Sequence, residues 1–586
     1  MKTSISDIYR KTAELLCYDY GISSQLVNEL LGDFKVMKAL EVLGERLEKV
    51  DKLAYLLRCK EHECFSTKHE SVIKLREKII SQWENTDLDV AFDKYGKTQG
   101  RSVSHRAKKL ARLKWTCGKS WAMMFMEYSG INLYFAGIHE RNEKKPDVED
   151  VPPFLKLPDL VNYQLKLKND LMKVLKEEGD EAKCIISLPT GAGKTRVAVE
   201  SYIEYLCPRF AEGKYLIWIA QSEELCEQAI KTFQDLWKSR EFTEYLRLYR
   251  LFGYHNLKIE DMKGGVVVCS INKLYNSIKN SEEGDEYHNL IKNCGACIID
   301  EAHRAITMMY ETFYEYSKKL RGEQMFPICG LTATPGRNDD PIPLSKHFRY
   351  RLFTPDVPQQ YKDKPILYFR KEKYLALPYH VEIATGQAFE FSEKDGEKIE
   401  AEWKKVGAGE KTSLEFRLLL QELIGEGCKN LAKNVQRNKI ILNKLLELPE
   451  DSRVLVYACT VEHAEVLNNL LIAKGKRSVV ITGDTPRYRR QSFIEQFKQN
   501  DIQFIVNHSV LTTGFDAPKT DIIVLCRPTF SDILYEQIVG RGLRGTKFGG
   551  TETCTIIDFC DNCGRFGDQQ SYKRFESFWY NGEKIE

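Results

Sequence analysis

The sequence predicts an α/β fold of two tandem doubly wound parallel-sheet domains preceded by an α-helical N-terminal domain, and three observations carry that prediction. Short, almost wholly apolar runs alternate with longer helical stretches through residues 151–350 and again through 436–586, as a buried parallel sheet covered by helices requires. Before residue 150 the apolar residues recur at alternating steps of four and three, at Val36, Leu40, Leu43, Leu47, Val50, Ala54 and Leu57, which is a helical period. Between the first apolar run and the helix after it stands a glycine loop, Ser187 to Thr195, of the kind that joins strand to helix around a phosphate. With 586 residues, 42% of them hydrophobic, the chain has material for about three to four domains.

The first segment, 1–150, reads as the seam of a helical hairpin or short coiled coil, and about three heptads favour an internal bundle core over a dimer interface. Its stretch 94–119 is basic, with Lys97, Arg101, Arg106, Lys108, Lys109, Arg112, Lys114 and Lys119 near Trp115 and Trp121. Charge beside aromatic rings suits a nucleic-acid strand, and a solvated basic helix is the equal alternative. The acidic, proline-bearing run 143–153 reads as a linker.

In the next segment, 151–350, Cys184 to Leu188 read as a buried strand, and Thr190, Gly191, Ala192 and Gly193 as a tight loop with inward N–H groups. Lys194 then reaches the outer phosphates of a nucleotide, and the Thr195 hydroxyl ligates magnesium at the start of a helix. Asp300 and Glu301 follow the apolar run Cys297 to Ile299, at a strand's carboxyl end, where doubly wound sheets bind ligands. There Asp300 holds magnesium and Glu301 deprotonates an attacking water. Thr332 and Thr334 place two hydroxyls at another strand end.

Segment 351–435 is charged and reads as a helical connection with an added edge. The last segment, 436–586, has strands expected at 454–457, 478–481, 503–506 and 521–525. Thr513 to Asp516 ends an apolar strand, and Gln537 to Arg544 reads as a helix presenting Arg541 and Arg544, three residues apart, on one face. Two guanidiniums so placed can fork onto a single phosphate.

These motifs, in this order over roughly 157–560, resemble the superfamily 2 helicases and translocases of the DEAH-signature branch, which includes type I restriction motor subunits and UvrB-like and XPB-like ATPases. The resemblance implies RecA-like domains, with Lys194 and Thr195 in motif I, Asp300 and Glu301 in motif II, Thr332 and Thr334 in motif III, Gly514 and Asp516 in motif V, and Gln537, Arg541 and Arg544 in motif VI. It implies ATP and Mg2+ as cofactors, Arg544 as an arginine finger with Arg541 beside it, and Gln164 as the residue that reads the adenine edge. Ser222, Ser270 and Lys273 fall where such enzymes grip phosphates in the first domain, and Thr460 and Arg490 where they touch the strand in the second. His463 reads as a helix-start residue. The partner implied is nucleic acid, DNA before RNA, with a nuclease or defence-system protein beside it. The alternative is a nucleic-acid-sensing ATP switch that recruits such a partner without processive unwinding.

Composition narrows the rest. A net charge of +3 means that any attraction to phosphate comes from local clustering. No apolar run is long enough to span a bilayer, and no signal peptide is seen, so the 17 cysteines point to a reducing cytoplasm. Cys294 with Cys297, and Cys560 with Cys563, have zinc-ligand spacing, but Cys297 lies inside an apolar strand, which favours burial over ligation. Cys59, His62, Cys64 and His69 match no zinc pattern.

Overall fold

The computed structural model describes residues 5–44, 47–96, 102–137, 148–151, 157, 159–177, 179, 181–239, 245–255, 263–280, 286–305, 307–333, 342–362, 364–388, 425–512, 517–529 and 532–562. The first sheet has strands β1 (Val148–Val151), β2 (Lys183–Ser187), β3 (Tyr215–Ala220), β4 (Leu246–Leu251), β5 (Gly265–Ser270), β6 (Cys294–Asp300), β7 (Ile328–Thr332) and β8 (Leu352–Phe353). Their order across the sheet is β1-β4-β5-β3-β6-β7-β2-β8. Every pairing is parallel except that of β1 with β4. The second sheet has β9 (Leu377–Ala388), β10 (Val454–Tyr457), β11 (Ser478–Ile481), β12 (Phe504–Asn507), β13 (Ile522–Leu525) and β14 (Thr553–Asn562), ordered β11-β12-β10-β13-β14-β9 and parallel throughout.

Both sheets are covered on two faces, which is why their strands read as unbroken apolar runs rather than alternations. In β3, Leu216, Trp218 and Ala220 enter one core while Tyr215, Ile217 and Ile219 enter the opposite one. In the second sheet, Leu455 and Tyr457 face one core, and Val454 and Val456 the other. Parallel register then lines up the functional ends: Ser187 pairs with Thr332, Asp300 with Leu331, and Ala220 with Ser270.

The N-terminal segment is helical, as expected, but its seam is not one continuous helix. Helix Met37–Leu43 stops at Gly44, in the left-handed region at φ 67°, and a new helix, Lys49–Lys60, carries Val50 and Leu57 into the core. Trp115 and Trp121 are buried core residues packed against Phe125, so neither ring is a platform for a strand. Of the described cations beside them, Arg106 pairs with Asp89 and Arg112 with Glu70, while Lys109 donates to the Gly96 carbonyl. These internal pairings favour the solvated-helix reading of the basic stretch. Lys97 and Arg101 lie outside the described residues.

Three boundaries also move. Val148–Val151, placed in a linker by its acid and proline content, is the antiparallel edge strand of the first sheet, because a strand this short at an edge needs little apolar content. The described part of the charged connection contains β9, a twelve-residue strand paired with β14. β8 extends the first sheet past residue 350.

The helical segment and the second α/β domain share one apolar core. Leu56 and Leu57 of the former and Leu467 and Leu471 of the latter belong to it. The Tyr55 hydroxyl donates to the Asn469 carbonyl at 2.7 Å, and Glu63 pairs with Arg489 at 2.5 Å. Tyr55→Ala should therefore cost about 3–5 kcal/mol, the usual cost of deleting a large buried ring. In calorimetry the helical segment and second domain should move together as one transition. A shift confined to a separate helical-segment transition would contradict the shared core.

Candidate functional site

The phosphate loop is shaped by two left-handed glycines, Gly191 at φ 86° and Gly193 at φ 88°. Helix Lys194–Phe210 starts immediately after them, so its first-turn N–H groups and dipole face the loop's interior. One carbonyl fixes the loop: Ala192 O accepts from the Tyr163 hydroxyl at 2.7 Å and from Gln164 Nε2 at 3.2 Å. Gln164 is buried at 1% exposure, and its Oε1 accepts from the Val161 N–H at 3.2 Å. In this geometry its carboxamide braces the loop from behind. Lys194 Nζ donates to the Leu188 carbonyl at 2.9 Å, which folds the ammonium back over the loop.

Asp300 ends β6, and its Oδ1 accepts the Glu301 N–H at 3.0 Å. Glu301 itself is left-handed at φ 52°, a conformation that costs a non-glycine residue about 1–2 kcal/mol. His303 Nδ1 lies 3.2 Å from Glu301 Oε2, and Thr332 Oγ lies 3.4 Å from the same nitrogen. Burial and the Glu301 carboxylate push Asp300 up to about 7, against the pull of Lys194 and Arg541. Burial also acts to raise Glu301, yet the hydrogen bond with His303 and the charge of Lys194 hold it below the usual carboxylate range. Neighbouring carboxyls driven apart in this way take different roles: Glu301 stays ionised and can act as a base, whereas Asp300 gains most from a cation.

The arginines reach the site by a different route from the expected helical face. Helix Asp532–Val539 ends before them, because Gly540 and Gly542 break it and a Cβ on Gly542 would run into Cys554 Sγ. Arg541 lies in the turn that follows, and Arg544 forms an antiparallel bridge with Leu375. The turn still delivers both. A cleft of about 290 Å³ is lined by Thr190, Gly191, Gly193, Lys194, Thr195, Asp300 and Glu301 from the first domain, and by Arg541 and Arg544 from the second. The backbone of Arg544 lies against the loop, its Cα 3.7 Å from where a Cβ on Gly191 would stand.

Gln164 lines this cleft as well, while Gln537 is half-buried on helix Asp532–Val539 away from the lining. Gly514, Asp516 and Thr334 lie outside the described residues. Sequence reasoning missed Tyr163, whose place beside Gln164 was the available signal. It also missed Phe548 and the face of helix Glu223–Lys238 carrying Gln228, Lys231 and Thr232, which line the cleft without any motif to mark them.

The residues expected to touch nucleic acid share a local role. Ser222, Ser270 and Thr460 are N-caps whose hydroxyls accept from the N–H groups of Leu225, Lys273 and His463 at 3.3, 3.4 and 3.0 Å. Ser222 and Ser270 also border a second cleft of about 710 Å³. Lys273 Nζ is drawn to the carbonyls of Gly253 and His255. Arg490 pairs with Glu224, which joins the two α/β domains. His463 starts a helix as expected and is buried, its Nδ1 accepting from the Cys459 N–H at 3.2 Å.

Cys294 and Cys297 are both buried in β6. Among the described residues no group of three or more His, Cys, Asp or Glu is placed to hold a metal, and no helix is long and apolar enough to cross a membrane. Cys563 lies outside them.

Comparison with known proteins places two families on this geometry. The family described as type III restriction enzyme, res subunit matches residues 158–337, and the helicase conserved C-terminal domain matches 437–546. A putative ATP-dependent helicase of Saccharomyces cerevisiae, IRC3, is 26% identical over 64% of this chain and 48% of its own length, so this chain spans about half of that relative. The DNA 3'-5' translocase XPB2 of Sulfurisphaera tokodaii is 22% identical over 74% of this chain and 90% of its own. The EcoKI type I restriction endonuclease subunit of Escherichia coli is 23% identical over 62% and 31%.

Gly193→Ala should lower nucleotide affinity at least about tenfold, since the left-handed backbone alone costs a side chain about 1–2 kcal/mol. The new Cβ would also stand 2.5 Å from Gln164 Nε2. Adding Gln164→Ala removes the clash but not the strain, so titration with a fluorescent ATP analogue should show only partial recovery. Full recovery would mean that the left-handed turn is dispensable.

Proposed function

We propose that this chain, which belongs to superfamily 2 of the helicases, is a nucleic-acid-dependent ATPase that moves along a strand, on DNA before RNA. One observation carries the reading: a single cleft holds Lys194, Thr195, Asp300 and Glu301 from one sheet and Arg541 and Arg544 from the other. The loop N–H groups and Lys194 would bind the ATP phosphates. The donor set fits a hard cation with few protein ligands, Thr195 and Asp300, where Mg2+ would neutralise phosphate charge. Glu301, ionised beside His303, would take the proton of the attacking water, and Arg541 and Arg544 would stabilise charge on the phosphoryl group in transfer. Loss of that charge on hydrolysis weakens the attraction across the cleft, and repeated closure on a gripped strand moves the protein along it.

The strand would run over the starts of helices Glu223–Lys238 and Ile271–Lys279 in the first domain, where Ser222 and Ser270 cap, and past Thr460 and Arg490 in the second. Likeness to a DNA translocase and to a restriction endonuclease subunit supports DNA as the track. The second likeness also supports a genome-defence motor with a nuclease partner. ATPase stimulation compared across single-stranded DNA, duplex, forked DNA and RNA tests the substrate. A strand-displacement assay beside it separates a motor from an ATP switch that recruits a partner.

Glu301→Gln should still bind ATP and should hold the strand more tightly with ATP present, because the amide keeps the shape and loses the basicity. A collapse of ATP affinity would instead make Glu301 structural. Arg544→Ala should leave ATP affinity near the parent value and cut strand-stimulated turnover about a thousandfold or more. Single-turnover hydrolysis measures this, and an unaffected rate would remove the second domain from the chemistry.

A further inference from the structure

The cleft bordered by Ser222 and Ser270 has a lining that phosphate binding does not account for. Its charged residues are one of each sign, Glu223 and Lys273. Lys273 is drawn to the Gly253 and His255 carbonyls, and the Glu223 carboxylate lies over Gly253, 2.7 Å from where a Cβ would stand. Such a lining has no net positive potential to attract a backbone of phosphates.

What it offers instead is carboxamide. Asn272, Asn276 and Asn280 recur every four residues along helix Ile271–Lys279 and its C-cap, all exposed and all on the cleft, while Ile271, Leu274 and Ile278 are buried on the opposite face. Asparagine is a weak helix former, so helix stability does not explain three of them. Each carboxamide presents a donor beside an acceptor, the pattern that matches the edge of a base.

Next in the chain to Gly253, which lines the cleft, comes an exposed aromatic ring. Tyr254, next to Gly253, is 51% exposed and lies over the ring of His255 with centroids 4.2 Å apart. His255 is fully buried and packs on Phe252 at 5.5 Å, so the exposed ring has a rigid backing. Lys273 ties this loop to the asparagine helix.

We propose that Asn276, Asn280 and Tyr254 form a base-contacting site for an unpaired strand, beyond the phosphate grip at the helix starts. The site rests on the nucleic-acid reading above. It holds base edges and rings, and Lys273 acts as a positioning residue that sets the Tyr254 loop.

The test uses the full chain, with a mixed-sequence single-stranded deoxyoligonucleotide and an abasic strand of equal length as probes in fluorescence anisotropy. The wild-type protein should bind the base-bearing strand roughly tenfold or more tightly, in line with the worth of one stacked base. The Asn276→Ala/Asn280→Ala double variant and Tyr254→Ala should each move that ratio toward one while binding the abasic strand as before. Tyr254→Phe should keep it. Alanine is the better helix former at the exposed position 276, so a thermal midpoint no lower than the parent's is expected for the double variant and confirms folding. A ratio unchanged in both alanine variants, or equal losses on both strands, overturns the proposal. Wild-type protein that binds both strands alike overturns the base contact alone, whereas wild-type protein that binds neither overturns the nucleic-acid reading and the site with it.

Discussion

The hydrogen bond from the Tyr163 hydroxyl to the Ala192 carbonyl is the contact on which the cleft's geometry turns. Burial keeps that hydroxyl protonated, so it remains a donor and holds the Ala192 carbonyl of the loop in place. The same ring packs edge-on against Phe369 and Tyr374, at 4.9 and 5.2 Å. Tyr374 in turn stacks on Phe548 at 5.5 Å, and its carbonyl accepts the Gly545 N–H at 3.0 Å. Gly545 follows Arg544. Two aromatic residues, Tyr163 and Tyr374, thus connect the loop that would seat the phosphates to the turn that carries Arg544. Close-packed rings transmit a displacement rather than absorbing it, so this chain of contacts can couple nucleotide occupancy to the arginine's position.

Much of this was legible in the sequence, because strands buried on both faces and loops that must bind phosphate leave little choice of residue. Ser187, Asp300 and Thr332 fall where apolar runs end, and parallel register brings those ends to one edge. The parts that were hidden depend on contacts with distant residues. In Gln537 to Arg544 the local signal that the helix stops was Gly540 and Gly542, while the packing of Cys554 that keeps position 542 a glycine comes from a distant strand. The tryptophans of the basic stretch looked like partners for a strand because sequence shows adjacency and not which way a ring points. The added edge expected in the charged connection is β9, whose bounds were obscured because an edge strand with one partner tolerates charge that a central strand does not.

The serine and threonine caps carry a further lesson about motif residues. Ser222, Ser270 and Thr460 each spend the hydroxyl on an N–H in the first turn of their own helix, which shapes the helix start. A motif residue can therefore act by shaping the start of a helix.

The core shared by the N-terminal helices and the second α/β domain changes what counts as half of this machine. Sequence order suggests a bundle followed by two lobes, but the packing divides differently: the first sheet has two cores of its own, whereas the bundle shares one with the second sheet. Were the lobe that carries Arg541 and Arg544 to swing against the phosphate loop, as the proposed cycle requires, the bundle would travel with it as cargo, and anything bound to the bundle would be carried through the same arc.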